Sequence, residues 1–124
     1  MHKVHAIHHA SIIVSDSESS LAFYRDLLGI ATCERPDLGF PGAWLQIGEQ
    51  QIHLLELPNP DSVTGRPDHG GRDRHIAFSV TGLESIREKL EEQGIPYSLS
   101  KSGRKALFCR DPDGNAVELI EQLA

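Results

Sequence analysis

"HHASIIVSDSESSLAFYRDLLGI" (His8–Ile30) and "RHIAFSVTGLESIREKLEEQGI" (Arg74–Ile95) are two versions of one segment. Each opens with a β-prone run of Ile, Val or Phe, passes through small and acidic residues, and ends on a helical pattern closed by glycine. His9 and His75, Ser15 and Thr81, and Glu18 and Glu84 all lie 66 positions apart; beyond the helix the interval is 65, as for Gly29 and Gly94. Matches that keep their order at a nearly constant interval mark a duplicated supersecondary unit.

Working outward, the first unit reads as a strand at Ala6–Val14 and a helix whose apolar positions include Leu21, Tyr24 and Leu28. Strands follow at Thr32–Arg35, Ala43–Ile47 and Gln51–Leu57, the last two joined by a turn at Gly48-Glu49. The second unit repeats the order: a strand in "RHIAFSV", a helix striped by Leu83, Ile86 and Leu90, then strands at Pro96–Ser100, Ala106–Arg110 and Ala116–Glu121. "DPDG" (Asp111–Gly114) makes the last turn. Ser15/Glu18 and Thr81/Glu84 have the spacing of capping boxes. The expectation is one α+β domain over residues 1–124, built of two tandem βαβββ modules at about 5–57 and 73–122. The Pro- and Gly-rich "PNPDSVTGRPDHGGR" links them, at 58–72.

Bulk composition narrows the class. At 124 residues, 39% apolar and 24% charged, the chain can bury the core of one domain. A net charge of -6 argues against nucleic-acid binding, which needs a basic face. No apolar run is long enough to span a bilayer, no signal peptide precedes the first strand, and Cys33 and Cys109 form no CxxC pair, so a cytoplasmic protein is expected.

Strand parity then sorts the histidines, because side chains alternate between the two faces of a strand. Ala10, Ile12 and Val14 make a greasy face, as do Ile76, Phe78 and Val80; His9 and His75 fall on the opposite, more polar faces. The repeat interval pairs His53 with Glu118. Related strands of the two halves therefore supply His9, His53, His75 and Glu118, a donor set suited to a divalent transition metal (Ni, Zn, Fe, Co or Mn) and not to Mg²⁺ or Ca²⁺. Glu56 stands three residues from His53, an odd interval, so the two face opposite ways and the register favours His53. His2, His5, His8 and His69 read as ordinary surface or structural residues, and Trp44 and Phe40 as core or pocket wall. Leu55 shares parity with the ligands and is a candidate for an apolar substrate wall. Arg104 and Lys105, in "KSGRKALFCR", read first as charges that guard an edge strand, with a cationic anchor for an anionic substrate group as the alternative.

The pattern "HHASIIV…FYRDLLGI…IHLLEL…RHIAFSV…DPDGNAVELIE" resembles the vicinal oxygen chelate superfamily over nearly the whole chain. That group includes glyoxalase I, methylmalonyl-CoA epimerase, fosfomycin-resistance enzymes, bleomycin-binding proteins and extradiol dioxygenases. The resemblance implies a curled eight-stranded mixed sheet around a metal cup, with helices on its outer face. It places the family's four metal positions on His9, His53, His75 and Glu118. It also implies a homodimer, a small-molecule substrate with vicinal oxygens, an enediolate-type intermediate, and Glu118 as proton-moving carboxylate. Bacterial glyoxalase I commonly has glutamate, and the epimerase glutamine, where this chain has His53. A glyoxalase-like lyase or isomerase is the expectation; an Fe-dependent dioxygenase or an antibiotic-resistance protein is the alternative.

Overall fold

A computed structural model describes residues 1–122. The first module runs β1 (His9–Val14), α1 (Ser17–Leu21) continued by a π-helical turn (Ala22–Leu27), β2 (Thr32–Cys33), β3 (Gly42–Ile47) and β4 (Gln50–Glu56). The second runs β5 (His75–Val80), α2 (Leu83–Glu92), β6 (Tyr97–Leu99), β7 (Ala106–Arg110) and β8 (Ala116–Glu121). The α+β class and the tandem βαβββ repeat are thus present. Hydrogen bonding groups the eight strands as two four-stranded mixed sheets, ordered β1-β4-β3-β2 and β5-β8-β7-β6. The chain divides into compact units at Met1–Pro60 and Asp61–Ala124. Among the described residues no helix is long and apolar enough to cross a membrane.

In each module the first and last strands pair in parallel, β1 with β4 and β5 with β8, while the remaining neighbours are antiparallel. A parallel pair needs a long crossover between its strands, and the helix provides part of it. β1 starts at His9 and not at Ala6, because its partner β4 begins only at Gln50, just past the Gly48-Glu49 turn. The face of Ile12, Val14, Leu45, Ile52 and Leu54 is buried, together with Leu21, Phe23, Tyr24 and Leu27 of the helical segment. In the second module Leu83, Ile86 and Leu90 of α2 are buried along with Leu107, Cys109, Val117 and Leu119. Burial pushes the Cys109 thiol up to about 12, so it packs as a small apolar group.

The helix starts differ from the expected capping boxes. Asp16 is the N-cap of α1, its carboxylate accepting from Ser19 N–H, and Gly82 caps α2 without any side-chain bond. Glu84 pairs instead with Arg87. The capping carboxylates come from the far ends of the sheets. Glu56 accepts from Ser17 N–H at 2.7 Å, and Glu121 accepts from Gly82 and Leu83 N–H at 3.1 and 3.2 Å. These two glutamates are repeat mates, and a carboxylate at a helix N-terminus meets both orphan donors and the favourable end of the dipole. The apolar stripe of the first helix also shifts. The π turn carries Leu28 N–H to the Phe23 carbonyl at 3.0 Å, which buries Phe23 and Leu27 and leaves Leu28 half-buried.

Residues 61–72, expected to be linker, fold onto the second sheet. Asp73 accepts from Arg66 at 2.5 Å and from Arg110 at 2.8 Å, and Arg110 also donates to the Pro67 and Gly114 carbonyls. Gly70 lies against Phe108 so closely that a Cβ would meet its ring at 3.1 Å. The Arg66 guanidinium, opposed by burial and helped by Arg110, holds the Asp73 carboxyl well below the usual carboxylate range.

Two outcomes follow for stability in urea. Glu56→Ala and Glu121→Ala should each cost about 1 kcal/mol, the usual worth of a helix cap, whereas Glu18→Ala should cost less. Asp73→Asn should cost about 2 kcal/mol at neutral pH, as the loss of charge-assisted hydrogen bonds does. Because the folded carboxyl is depressed, its stabilisation is present above the unfolded value of about 4 and lost as the pH falls toward the folded one. The gap between wild type and Asp73→Asn should therefore narrow below about pH 4.

Candidate metal centre

The parallel registers set the chemistry of each sheet. β1 aligns Ser11 with His53, and β5 aligns Ala77 with Glu118. His9 and His75 each stand two residues before those partners, so each module places its opening histidine diagonally beside its β4 or β8 residue, on the same face. In the first module His9 and His53 stack with ring centroids 4.0 Å apart and planes inclined by 17°. In the second, His75 Nε2 lies 3.3 Å from Glu118 Oε1.

His53 is buried at 8% exposure. Trp44, its register partner on β3, covers the other ring face at 4.0 Å and 4°, so His53 is the middle of a three-ring stack. Its Nε2 lies 2.8 Å from Gln51 Oε1. Burial, with the nearby His9, His8 and Arg35, pushes the His53 imidazole below its ordinary value and favours the neutral form a metal ligand needs. His9 is exposed, and its Nδ1 lies 2.9 Å from His8 Nδ1. His8 precedes the strand, so parity does not hold it to the packed face.

Glu118 is 3% exposed at its side chain and touches two nitrogen groups: His75 Nε2, and Arg104 Nη2 at 3.3 Å from Oε2. The Asp73 carbonyl, 2.8 Å from His75 Nδ1, can only accept, so Nδ1 carries a proton and Nε2 is the nitrogen directed at Glu118. A backbone acceptor behind an imidazole is the usual way a ligating nitrogen is aimed. The pocket around the pair, about 300 Å³, is lined by His69, Lys101, Ser102 and Arg104 as well as His75 and Glu118. Cations therefore line a wall next to one buried carboxylate.

The other sequence candidates divide. Arg104 lies in this pocket. Lys105, one residue on, reaches Glu121 at 3.9 Å instead, beside the α2 cap. Leu55 is half-buried on the His53 face, in register with Ile13 and Gly42. Glu56 faces away and caps α1. His69, expected to be an ordinary surface or structural residue, has a structural role. Its Nδ1 accepts from Gly71 N–H at 3.0 Å, its Nε2 lies 3.1 Å from the Leu99 carbonyl, and its ring lies 5.0 Å from Phe108. With both nitrogens engaged, it pins the 61–72 segment over the sheet. The signal was "DHGG", where two small glycines allow a close approach.

The donors in each module, two imidazoles in the first and an imidazole beside a buried carboxylate in the second, are of the kinds a divalent transition metal takes. Among the described residues no group of three or more His, Cys, Asp or Glu side chains is already gathered around one point. A nitrogen lone pair lies in its ring plane, so two nearly parallel rings cannot share an ion until one turns. His9, the exposed ring, has the room.

A family model described as "Glyoxalase/Bleomycin resistance protein/Dioxygenase superfamily" matches residues 6–119, which span both modules and all four candidate ligands. The chain belongs to this glyoxalase superfamily. It is 34% identical over 120 residues to "Glyoxylase I 4" of Arabidopsis thaliana, covering 92% of this chain and 69% of that one. Its identity to the "Lactoylglutathione lyase" of Salmonella typhimurium is 31%, over 91% and 90% of the two chains. A glyoxalase family protein from Bacillus anthracis has the same fold, with a TM-score of 0.78 at 22% identity and 99% coverage of both chains.

The face argument has a direct check. Purified protein should carry about one transition metal per chain by elemental analysis. His9→Ala should abolish that stoichiometry and His8→Ala should retain it; equal loss in both would sink the assignment by strand face.

Proposed function

We propose that this glyoxalase-superfamily chain is a divalent-metal-dependent lyase or isomerase acting on a small anionic substrate with adjacent oxygens. The observation that carries the reading is Glu118, a buried carboxylate set between a histidine nitrogen and an arginine at the edge of a cation-lined pocket. Neither His9–His53 nor His75–Glu118 alone supplies the three or four protein ligands that a transition-metal site takes. We take His9, His53, His75 and Glu118 as its ligands, the set that the superfamily resemblance implies, with Ni, Zn, Fe, Co and Mn as candidates. A bound ion of this kind supplies Lewis acidity that polarises the substrate's oxygens.

The protein's own groups do the rest. Glu118 is the acid–base residue, moving a proton between neighbouring carbons of the substrate. Burial beside Arg104 and His75 keeps it out of bulk water. Arg104, 58% exposed at its side chain, is free to leave Glu118 and turn to a substrate anion. Lys101 adds a second charge to the same wall, while Leu55 offers an apolar one on the His53 face. A homodimer is part of the reading, supported by the superfamily membership. Sedimentation at micromolar concentration should show the dimer.

His53 adjusts the reaction class. A neutral imidazole leaves the centre one negative charge short of a two-histidine, two-glutamate set and removes a second carboxylate that could shuttle a proton. Native protein loaded in turn with Ni²⁺, Co²⁺ or Zn²⁺ should give weak turnover of the hemithioacetal of methylglyoxal and glutathione, followed as thioester absorbance. Glu118→Gln should lower that rate by about 100-fold or more, in the range of general acid–base contributions, and His53→Glu should raise it. No metal-dependent rate in either the native protein or His53→Glu would remove the lyase reading.

A further inference from the structure

The polar face of the first sheet carries a side-chain chain that no catalytic role has absorbed. Gln46 and Gln51 are register partners on β3 and β4, and Gln51 is also aligned with His9 on β1. Gln46 Nε2 lies 2.8 Å from the Gly48 carbonyl and 3.2 Å from the Gln50 carbonyl. Both oxygens can only accept, so this end of the Gln46 amide must be its NH₂ group. Its Oε1 then faces Gln51 Nε2 at 2.9 Å and accepts from it. The Gln51 amide is thereby oriented too, with Oε1 toward His53 Nε2 at 2.8 Å. An amide oxygen cannot donate, so the proton of that bond belongs to His53.

We infer that Gln46 and Gln51 form a one-way hydrogen-bond relay that fixes His53 as its Nε2–H tautomer and leaves Nδ1 as the basic, ligating nitrogen. Reversing the relay would turn both amides over and set the Gln46 oxygen against two carbonyl oxygens, losing both anchoring bonds. The Trp44 and His9 rings hold the imidazole plane while the relay holds its edge, so His53 is ordered in both plane and proton position.

The second module supports this reading by contrast. There the positions of Gln46 and Gln51 in the register are taken by Arg110 and Ala116, paired across β7 and β8. Ala116 has no polar side chain, and Arg110 is committed to Asp73 and to backbone carbonyls. The residue they adjoin is Glu118, which has no tautomer to choose. The relay thus stands only where the β4 or β8 ligand is an imidazole. An amide oxygen is also a weaker proton acceptor than a carboxylate, so the relay orients His53 without drawing it toward the imidazolium. Gln51 and Gln46 are positioning residues, and their bearing on metal binding rests on the function proposed above.

The primary test needs no metal. In metal-free, ¹⁵N-histidine-labelled protein, long-range ¹H–¹⁵N spectra assigned with His53→Gln should show His53 as a single Nε2–H tautomer. In Gln51→Leu the same resonances should move to a mixture or to the Nδ1–H form, whereas Gln51→Glu, which keeps an acceptor, should retain Nε2–H. Thermal unfolding of each variant confirms that the fold is intact. Zn²⁺ titration should then show affinity about 10- to 100-fold weaker in Gln51→Leu, the usual effect of removing a group that aims a ligand. An Nδ1–H His53 in wild type, or an unchanged tautomer in Gln51→Leu, overturns the relay. A wild type that shows the Nε2–H tautomer but binds no Zn²⁺ leaves the relay standing and overturns the metal-dependent function instead.

Discussion

Parallel pairing of the first and last strand in each module is the constraint from which the other features follow. It forces a crossover, and the helix in that crossover takes one face of the sheet for its apolar side chains. The opposite face is left for chemistry. The register then decides which residues meet there, because Ser11 opposite His53 and Ala77 opposite Glu118 each bring a histidine two residues upstream into diagonal contact. A shift of one residue in either ladder would turn His53 or Glu118 toward the helix. The glutamates that cap the helices, Glu56 and Glu121, lie three residues further along the same strands and face the other way. One strand therefore serves both the helix start and the site.

The two modules use this scaffold for unlike environments. In the first, a neutral imidazole lies between aromatic planes and its edge is held by amides, with no carboxylate among the contacts described. In the second, a carboxylate is enclosed by an imidazole and a guanidinium, and the 61–72 segment is drawn down by the Asp73 ion-pair network and by His69. The two modules share the backbone and its pairing but differ in the side chains at matching positions, Gln51 against Ala116 and Trp44 against Phe108.

Much of this was legible in the sequence because it depends on period and interval. The bounds of β7 and β8 read correctly to the residue, and parity correctly parted Glu56 from His53 and the greasy faces from the histidine faces. What could not be read depends on groups distant in sequence. Capping boxes were a local expectation, but the carboxylates that cap the helices come from 39 positions downstream, at the ends of β4 and β8. Arg104 and Lys105 looked alike as neighbouring cations, yet one reaches Glu118 and the other Glu121. His69 looked like linker because its role appears only when Gly70 passes under Phe108. The His9–His53 stack was likewise invisible, since parity places two rings on one face without orienting their planes.

Trp44 is the chain's single tryptophan, and it lies in van der Waals contact with His53. Indole emission responds to a charge or an electron-poor ring stacked against it, so the intrinsic fluorescence of this protein originates at one ligand of the candidate centre. The other face of the same imidazole carries His9, the ring that must turn before both can hold one ion. The stack thus makes the first module its own optical probe, in which the seating of an ion, or its removal by a chelator, would be read from native emission without a label.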